Sequence, residues 1–176
     1  TSRQLQFLDL LKNFVLEKGD VSKRNLIESP FTMLHPEGIR GAQAIAGCVF
    51  LKKNNRTGAE DDIRNFVTEE IGYNLNFNLN DIRDKYTFDV TCQGSVPIAI
   101  KAYIERSGYS AQKALQLAIS MGGDSDTIGA MTASIASAED FYIVGSDFDR
   151  EVVSLCRDLL PADLLDINDR FEAFIS

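Results

Sequence analysis

The chain has 176 residues, of which 44% are hydrophobic and 25% are charged, and its formal net charge at pH 7 is -8. These values are typical of a soluble globular protein with one domain or two small ones. Because nucleic acids and anionic membranes bind proteins that carry an excess of Lys and Arg, the acidic charge argues against non-specific binding to either. The chain also has no apolar stretch long enough to span a bilayer.

The three cysteines are scattered at positions 48, 92 and 156. Their odd number and the lack of a Cys-x-x-Cys pair exclude a disulfide framework and argue against a zinc site. This usage is typical of a reducing compartment, and the sequence therefore predicts a cytoplasmic protein.

Apolar residues recur three and four positions apart in seven segments, a spacing that predicts amphipathic helices. The segments, in chain order, are 5–15, 42–50, 63–71, 96–104, 114–119, 152–159 and 164–175. Ser95 is the predicted N-cap of the fourth helix, and Pro97 is expected in its first turn.

One segment alternates with a period of two, which predicts an extended stretch. Its apolar positions are Tyr86, Phe88, Val90 and Cys92. Since no linker, repeat or charge block divides the chain, we expect one all-α domain spanning residues 1–176.

The segment Gly122-Gly123-Asp124-Ser125-Asp126-Thr127 is the strongest candidate for chemistry. In a regular helix Asp124 and Asp126 would face different directions, but at a loop-to-helix junction their side chains can converge. Carboxylate and hydroxyl oxygens are ligands that suit Mg²⁺ or Mn²⁺. The alternative is helix capping, with Asp124 or Ser125 as N-cap and Asp126 stabilised by the helix dipole.

Two further segments are candidates for binding. Pro36 favours an extended conformation at His35, the only histidine, and so predicts a loop residue in front of a helix. Gly94 and Ser95 are expected to expose backbone N–H groups at a helix N-terminus, where phosphate or ribose oxygens can bind. The alternatives are a surface or capping histidine and an ordinary N-cap.

Three segments occur in this order: residues 35–44, which begin with His-Pro-Glu-Gly, residues 88–97, which end with Cys-Gln-Gly-Ser-Val-Pro, and residues 122–130, which begin with Gly-Gly-Asp-Ser-Asp-Thr. Together they resemble the C-terminal half of the ADP-ribosylglycohydrolase family. The resemblance divides the single domain into an N-terminal helix and linker (1–33), a family-like core (34–138) and C-terminal helices (139–176). It implies a compact, orthogonal bundle of helices.

The resemblance also implies a function, namely hydrolysis of the bond between ADP-ribose and an acceptor at a binuclear Mg²⁺ or Mn²⁺ centre. ADP-ribose or an ADP-ribosylated protein would be the partner. The implied metal ligands are Asp124, Asp126 and Thr127, and the implied ADP-ribose contacts are His35, Gly94, Ser95 and Val96.

The sequence departs from the family pattern in its N-terminal part. Family members carry a Gly-Asp-rich first helix and a Thr-Asp-Asp-Thr metal motif, and neither is found in these 176 residues. The acidic residue expected to activate water belongs to that part, so no catalytic residue is assigned here. Two hypotheses follow: an ADP-ribosyl hydrolase whose other ligands come from elsewhere, or a non-catalytic ADP-ribose-binding or scaffold protein that keeps half of the site.

Overall fold

Helices account for the regular structure of the described residues, which in this computed structural model are 35–55, 58–106, 111–138 and 147–175. Within these ranges there is no strand, and the predicted all-α fold class is confirmed. The helix predicted at 5–15 lies outside the described residues. The chain forms two compact units, Thr1–Glu139 and Asp140–Ser176, which are described separately. The assignment of all 176 residues to one domain stays a prediction.

The first unit contains six described α-helices and one π-helical segment. These are α1 (Pro36–Asn54), α2 (Ala59–Asn65) continued by the π-helix Phe66–Ile71, α3 (Leu79–Ile82), α4 (Cys92–Glu105), α5 (Ala111–Ile119) and α6 (Ser125–Ala136).

Helix α4 is the central element of this unit. Every residue from 95 to 104 is buried, because α1, α3, α5 and α6 all pack against this helix. A polar contact also joins α6 to α4, since the buried Thr132 hydroxyl lies 3.0 Å from the Ala99 carbonyl oxygen. Helix α1 packs against α2 and the π-helix on one side and against α4 and α6 on another. The starts of α4 and α6 are thus brought to the same region as α1.

The start of α4 corrects two expectations. The helix begins at Cys92 with Thr91 as N-cap, so Ser95 lies inside the helix and Pro97 lies in its second turn. Asp89 accepts a hydrogen bond from the Thr91 N–H at 2.8 Å, and the Thr91 hydroxyl in turn accepts one from Gly94 N–H at 3.1 Å. The Thr91 cap, itself held by Asp89, starts the helix earlier than the apolar stripe indicates.

The segment expected to be extended ends earlier than its alternation indicates, and it forms no strand. Residues 86–90 have no regular structure, and Cys92 already belongs to α4. The side chains of Phe88 and Val90 are 69% and 68% exposed, so the alternation does not mark a buried strand face. With no partner strand in the described residues, the segment has nothing to pair with.

The second unit contains α7 (Asp147–Leu159) and α8 (Ala162–Ile175). Arg157 of α7 pairs with Asp169 of α8 at 2.6 Å and lies 3.8 Å from Glu172. None of the helices in the described part of the chain has the length and apolar character that a bilayer span requires.

Candidate functional site

A groove of about 710 Å³ lies between α1, α4 and α6. Ala42 and Ala46 of α1 form one wall, Ser95 and Val96 of α4 form the second, and Thr127 lies on the α6 side. The α1 wall combines these small side chains with larger apolar ones, Ile45 and Val49. The motifs at 92–97 and 122–127 therefore contribute to one cavity, together with α1, the helix that begins in the His-Pro-Glu-Gly motif. The volume of the cavity is typical of small-molecule sites.

The Gly-Gly-Asp-Ser-Asp-Thr segment forms a loop that leads into α6. Gly122 and Gly123 have φ angles of +74° and +67°, which side-chain-bearing residues rarely adopt. Asp124 is the N-cap residue of α6, as one of the two predictions for this segment has it, but its side chain makes no capping hydrogen bond.

The two carboxylates of this segment lie side by side. The Asp124 side chain is within hydrogen-bonding reach of Asp126, and this contact lowers the pKa of Asp126 together with hydrogen bonds from the backbone N–H groups of Thr127 and of Asp126 itself. Asp126 and Thr127 are exposed. Within the described ranges, no group of three or more His, Cys, Asp or Glu side chains is arranged to hold a metal ion. The metal-ligand assignment therefore stays a prediction, carried by two carboxylates and a hydroxyl.

The irregular segment 86–90 lies against this loop. A Cβ atom on Gly123 would stand 2.9 Å from the Tyr86 ring and 3.2 Å from the Thr87 carbonyl oxygen. The Tyr86 hydroxyl donates to the Gly94 carbonyl oxygen at 3.3 Å. Partial burial raises the pKa of Tyr86, and the nearby carboxylates of Asp89 and Asp124 raise it further.

The backbone at the start of α4 differs from the expected phosphate cradle. The N–H groups of Gly94 and Ser95 both lie within hydrogen-bonding distance of the Thr91 carbonyl oxygen, at 3.1 and 3.0 Å. The N–H groups that have neither an i−3 nor an i−4 carbonyl oxygen in the helix or its N-cap residue are those of Cys92 and Gln93. The expectation that Gly94 and Ser95 expose their N–H groups is therefore wrong, because the helix begins four residues earlier than predicted, with Thr91 in place of Ser95 as N-cap.

His35 occupies the predicted position in front of a helix. It is the exposed, extended N-cap residue of α1, with φ and ψ of −67° and 133°, and its Nδ1 accepts a hydrogen bond from Glu37 N–H at 3.2 Å. His35 is not among the residues that line the groove, although the helix it caps forms a groove wall. Its part in ADP-ribose binding stays a prediction.

A comparison with known families bears on all of these segments at once. A family model described as ADP-ribosylglycohydrolase matches residues 28–140, which is more than half of the chain. The chain belongs to the ADP-ribosylglycohydrolase family. Comparison with curated proteins found no match, and neither did comparison with solved structures.

In this ADP-ribosylglycohydrolase family member, the sequence analysis gives no individual role to three residues of this region: Tyr86, Asp89 and Thr91. The sequence carries a signal for two of them, since Asp-x-Thr directly in front of a helix is typical of an N-terminal cap. No local pattern marks Tyr86, because its contacts with Gly94 and Gly123 arise only in the folded chain.

Proposed function

We propose that this chain acts as an ADP-ribosyl hydrolase, cleaving the glycosidic bond between ADP-ribose and an acceptor with the help of Mg²⁺ or Mn²⁺. The observation that carries the proposal is the groove lined jointly by Ser95, Val96 and Thr127. These residues come from the two family motifs that the sequence links to ADP-ribose and to metal. A ligand that contacts both motifs requires them to line the same cavity, and Ser95, Val96 and Thr127 do so.

The donor set of the Gly-Gly-Asp-Ser-Asp-Thr segment fits a hard divalent cation. Two neighbouring carboxylates repel each other unless a cation or a proton lies between them. In this proposal Asp124, Asp126 and the Thr127 hydroxyl hold Mg²⁺ or Mn²⁺. Such an ion supplies Lewis-acid polarisation and orients the ribose hydroxyls when bound.

The groove supplies the binding surface for the nucleotide. The apolar side chains of Ile45, Val49 and Val96 exclude water from the bases and sugars that enter it. The Cys92 and Gln93 N–H groups in the first turn of α4 are the donors suited to the diphosphate. The proposed ADP-ribose contacts remain His35, Gly94, Ser95 and Val96. The contacts of Gly94 and Ser95 do not use their backbone N–H groups, which bond to the Thr91 carbonyl oxygen.

Titration calorimetry with Mn²⁺ tests the metal half of the proposal. We expect the wild type to bind one ion at most, weakly, and Asp126→Asn to lose most of this binding because it keeps the shape and removes one charge. Asp61→Asn is the matched control, since Asp61 is an exposed carboxylate in the first turn of α2. Equal binding by the wild type and Asp126→Asn would mean that the motif only begins a helix.

The melting temperature in the presence of ADP-ribose tests the other half. A ligand that binds only the native state stabilises it by mass action, so ADP-ribose with Mg²⁺ should raise the melting temperature by a small amount. The absence of any shift at millimolar ADP-ribose would contradict the proposed groove site. The expected cytoplasmic location, and the lack of a membrane or non-specific nucleic-acid partner, belong to the same proposal.

A second candidate is a non-catalytic ADP-ribose-binding or scaffold protein. It is favoured by one observation, namely that the described residues bring no third carboxylate, histidine or cysteine to Asp124 and Asp126. Release of ADP-ribose from ADP-ribosylated arginine and serine peptides, with Mn²⁺ present, separates the two. Turnover that Asp126→Asn abolishes supports the hydrolase, whereas binding without turnover supports the second candidate.

A further inference from the structure

Tyr86 contacts both of the loops on which the proposed function depends. Its hydroxyl donates to the Gly94 carbonyl oxygen at 3.3 Å, in the first turn of α4. On the other side, its ring lies so close to Gly123 that a Cβ atom there would stand 2.9 Å from it. One side chain thus spans the gap between the proposed ADP-ribose segment and the proposed metal segment.

The loop around Gly123 is in contact with groups outside it as well as with its own backbone. Gly122 and Gly123 have positive φ angles and no side chains to pack, and within the turn the Gly122 N–H donates to the Ile119 carbonyl oxygen at 3.1 Å. The Tyr86 ring and the Thr87 carbonyl oxygen are the nearest groups to Gly123.

Tyr86 is itself held in place from two directions. Its backbone N–H donates to the Ile82 carbonyl oxygen at 2.8 Å. Its ring packs against a buried cluster that includes Leu79, Ile98 and Ile128. A side chain fixed in this way can transmit the position of one loop to the other.

We propose that Tyr86 is a positioning residue that couples the loop at 122–126 to the first turn of α4, so that a divalent cation bound at the loop raises the affinity of the groove for ADP-ribose. The second half of this statement rests on the proposed function, whereas the positioning role does not. By linkage, ADP-ribose raises the affinity for the cation by the same factor.

Hydrogen exchange on the free protein tests the positioning role. Tyr86→Phe keeps the ring and removes the hydroxyl. Tyr103→Phe is the matched control, because its hydroxyl donates to Glu60 at 3.2 Å at the opposite end of α4 from the first turn. We expect the amides of segments 91–95 and 122–128 to exchange about fivefold faster in Tyr86→Phe, the effect of losing one hydrogen bond. In Tyr103→Phe they should exchange as in the wild type.

Two results of this experiment would overturn the role. Either exchange in both segments is unchanged in Tyr86→Phe, or both variants accelerate it equally, which would reveal a general loss of stability. Acceleration confined to Tyr86→Phe supports the role, whether or not ADP-ribose binds.

Mn²⁺ titrations with and without saturating ADP-ribose test the coupling. We expect ADP-ribose to raise the Mn²⁺ affinity of the wild type and of Tyr103→Phe at least about fivefold, and this factor to fall towards one in Tyr86→Phe. An unchanged factor in Tyr86→Phe would refute the coupling. If the wild type binds neither ligand, the proposed function fails, and the exchange experiment alone decides the role of Tyr86.

Discussion

Replacement of Gly47 by alanine is a sharp test of how closely α1 approaches the π-helix. Gly47 is buried on α1, and a Cβ atom at this position would overlap the ring of Phe66, the first residue of the π-helix. The ring is only 7% exposed, so it cannot turn away without displacing its neighbours in the core.

Two opposing terms set the size of the effect. Alanine is a better helix former than glycine by about 1 kcal/mol, which favours the variant. Overpacking a tight core costs about 1–3 kcal/mol, which opposes it. Because the new Cβ would overlap the ring of a buried residue, the cost should lie in the upper part of this range, about 2–3 kcal/mol, and we expect Gly47→Ala to lower the free energy of unfolding by about 1–2 kcal/mol.

Gly129→Ala is the matched control, because Gly129 is also buried within a helix. There the new Cβ would lie 3.2 Å from a terminal methyl carbon of Leu115, a side-chain end that can move. The propensity gain should dominate, leaving the free energy of unfolding unchanged or raised by up to about 1 kcal/mol.

Urea unfolding followed by circular dichroism at 222 nm measures both variants. With a typical slope of about 1–3 kcal/mol per molar urea, the two midpoints should differ by roughly 1 M. In the double variant with Phe66→Leu, the cost of Gly47→Ala should largely disappear, because the ring it meets is gone. Equal midpoints for Gly47→Ala and Gly129→Ala would refute the close approach of α1 and the π-helix, and with it the position of this groove wall.

Three further outcomes follow from single buried or exposed groups. Thr132→Val should lower the free energy of unfolding by about 1 kcal/mol, because the fully buried hydroxyl loses its hydrogen bonds while its volume is kept. A thiol reagent should label the exposed Cys156 in the native protein. It should label Cys48 only on unfolding, because this thiol is buried and burial raises its pKa. Equal labelling rates for the two cysteines would contradict this. Burial, and to a lesser extent the negative charges of neighbouring groups, raise the pKa of Tyr73 to about 12. As the pH rises, the unfolded chain therefore loses the Tyr73 proton at a lower pH than the folded chain does. The stability of the wild type relative to Tyr73→Phe should then fall between about pH 10 and 12. A stability difference that stays constant over this range would contradict the prediction.

The helices were predictable where one face is buried and the other is not. The stripes at 42–50 and 114–119 fall within α1 and α5, since an amphipathic helix repeats its apolar face every three to four residues. The stripe at 63–71 fits equally well, but it does not reveal that the second half of this helix is a π-helix. The spacing of apolar residues indicates which residues are buried. It does not indicate whether a backbone N–H bonds to the carbonyl four residues earlier, as in an α-helix, or five residues earlier, as in a π-helix.

The central helix was harder to predict for the same reason. Because residues 95–104 of α4 are buried on every side, no polar face marks where the helix begins. Ser95 was therefore mistaken for the cap, whereas the hydrogen bonds of Asp89 and Thr91 begin the helix at Cys92. Two of the apolar side chains in the period-two pattern before this helix, Phe88 and Val90, are exposed. The pattern therefore does not mark the buried face of a strand.

The candidate site was predictable as a set of motifs but not as an arrangement. That Asp124 and Asp126 converge follows from their place at a loop-to-helix junction, which two adjacent glycines signal. That Ser95 and Thr127 share a groove depends on how α4 and α6 pack, and no single segment records this. The family match supports the same three segments, but it does not assign a role to each side chain.

The Mn²⁺ titration distinguishes a metal site in the loop before α6 from attraction to overall negative charge, whether the binding is strong or weak. A divalent cation such as Mg²⁺ or Mn²⁺ prefers about six oxygen ligands. Asp124, Asp126 and Thr127 supply three if each carboxylate binds through one oxygen, so water or substrate would have to fill the remaining positions. Each carboxylate contributes both charge and geometry, and for this reason Asp126→Asn should weaken binding far more than Asp61→Asn, which changes the net charge equally at a different place. If both substitutions weaken binding to the same extent, the attraction is one of overall negative charge, and the segment is a helix start without a metal site.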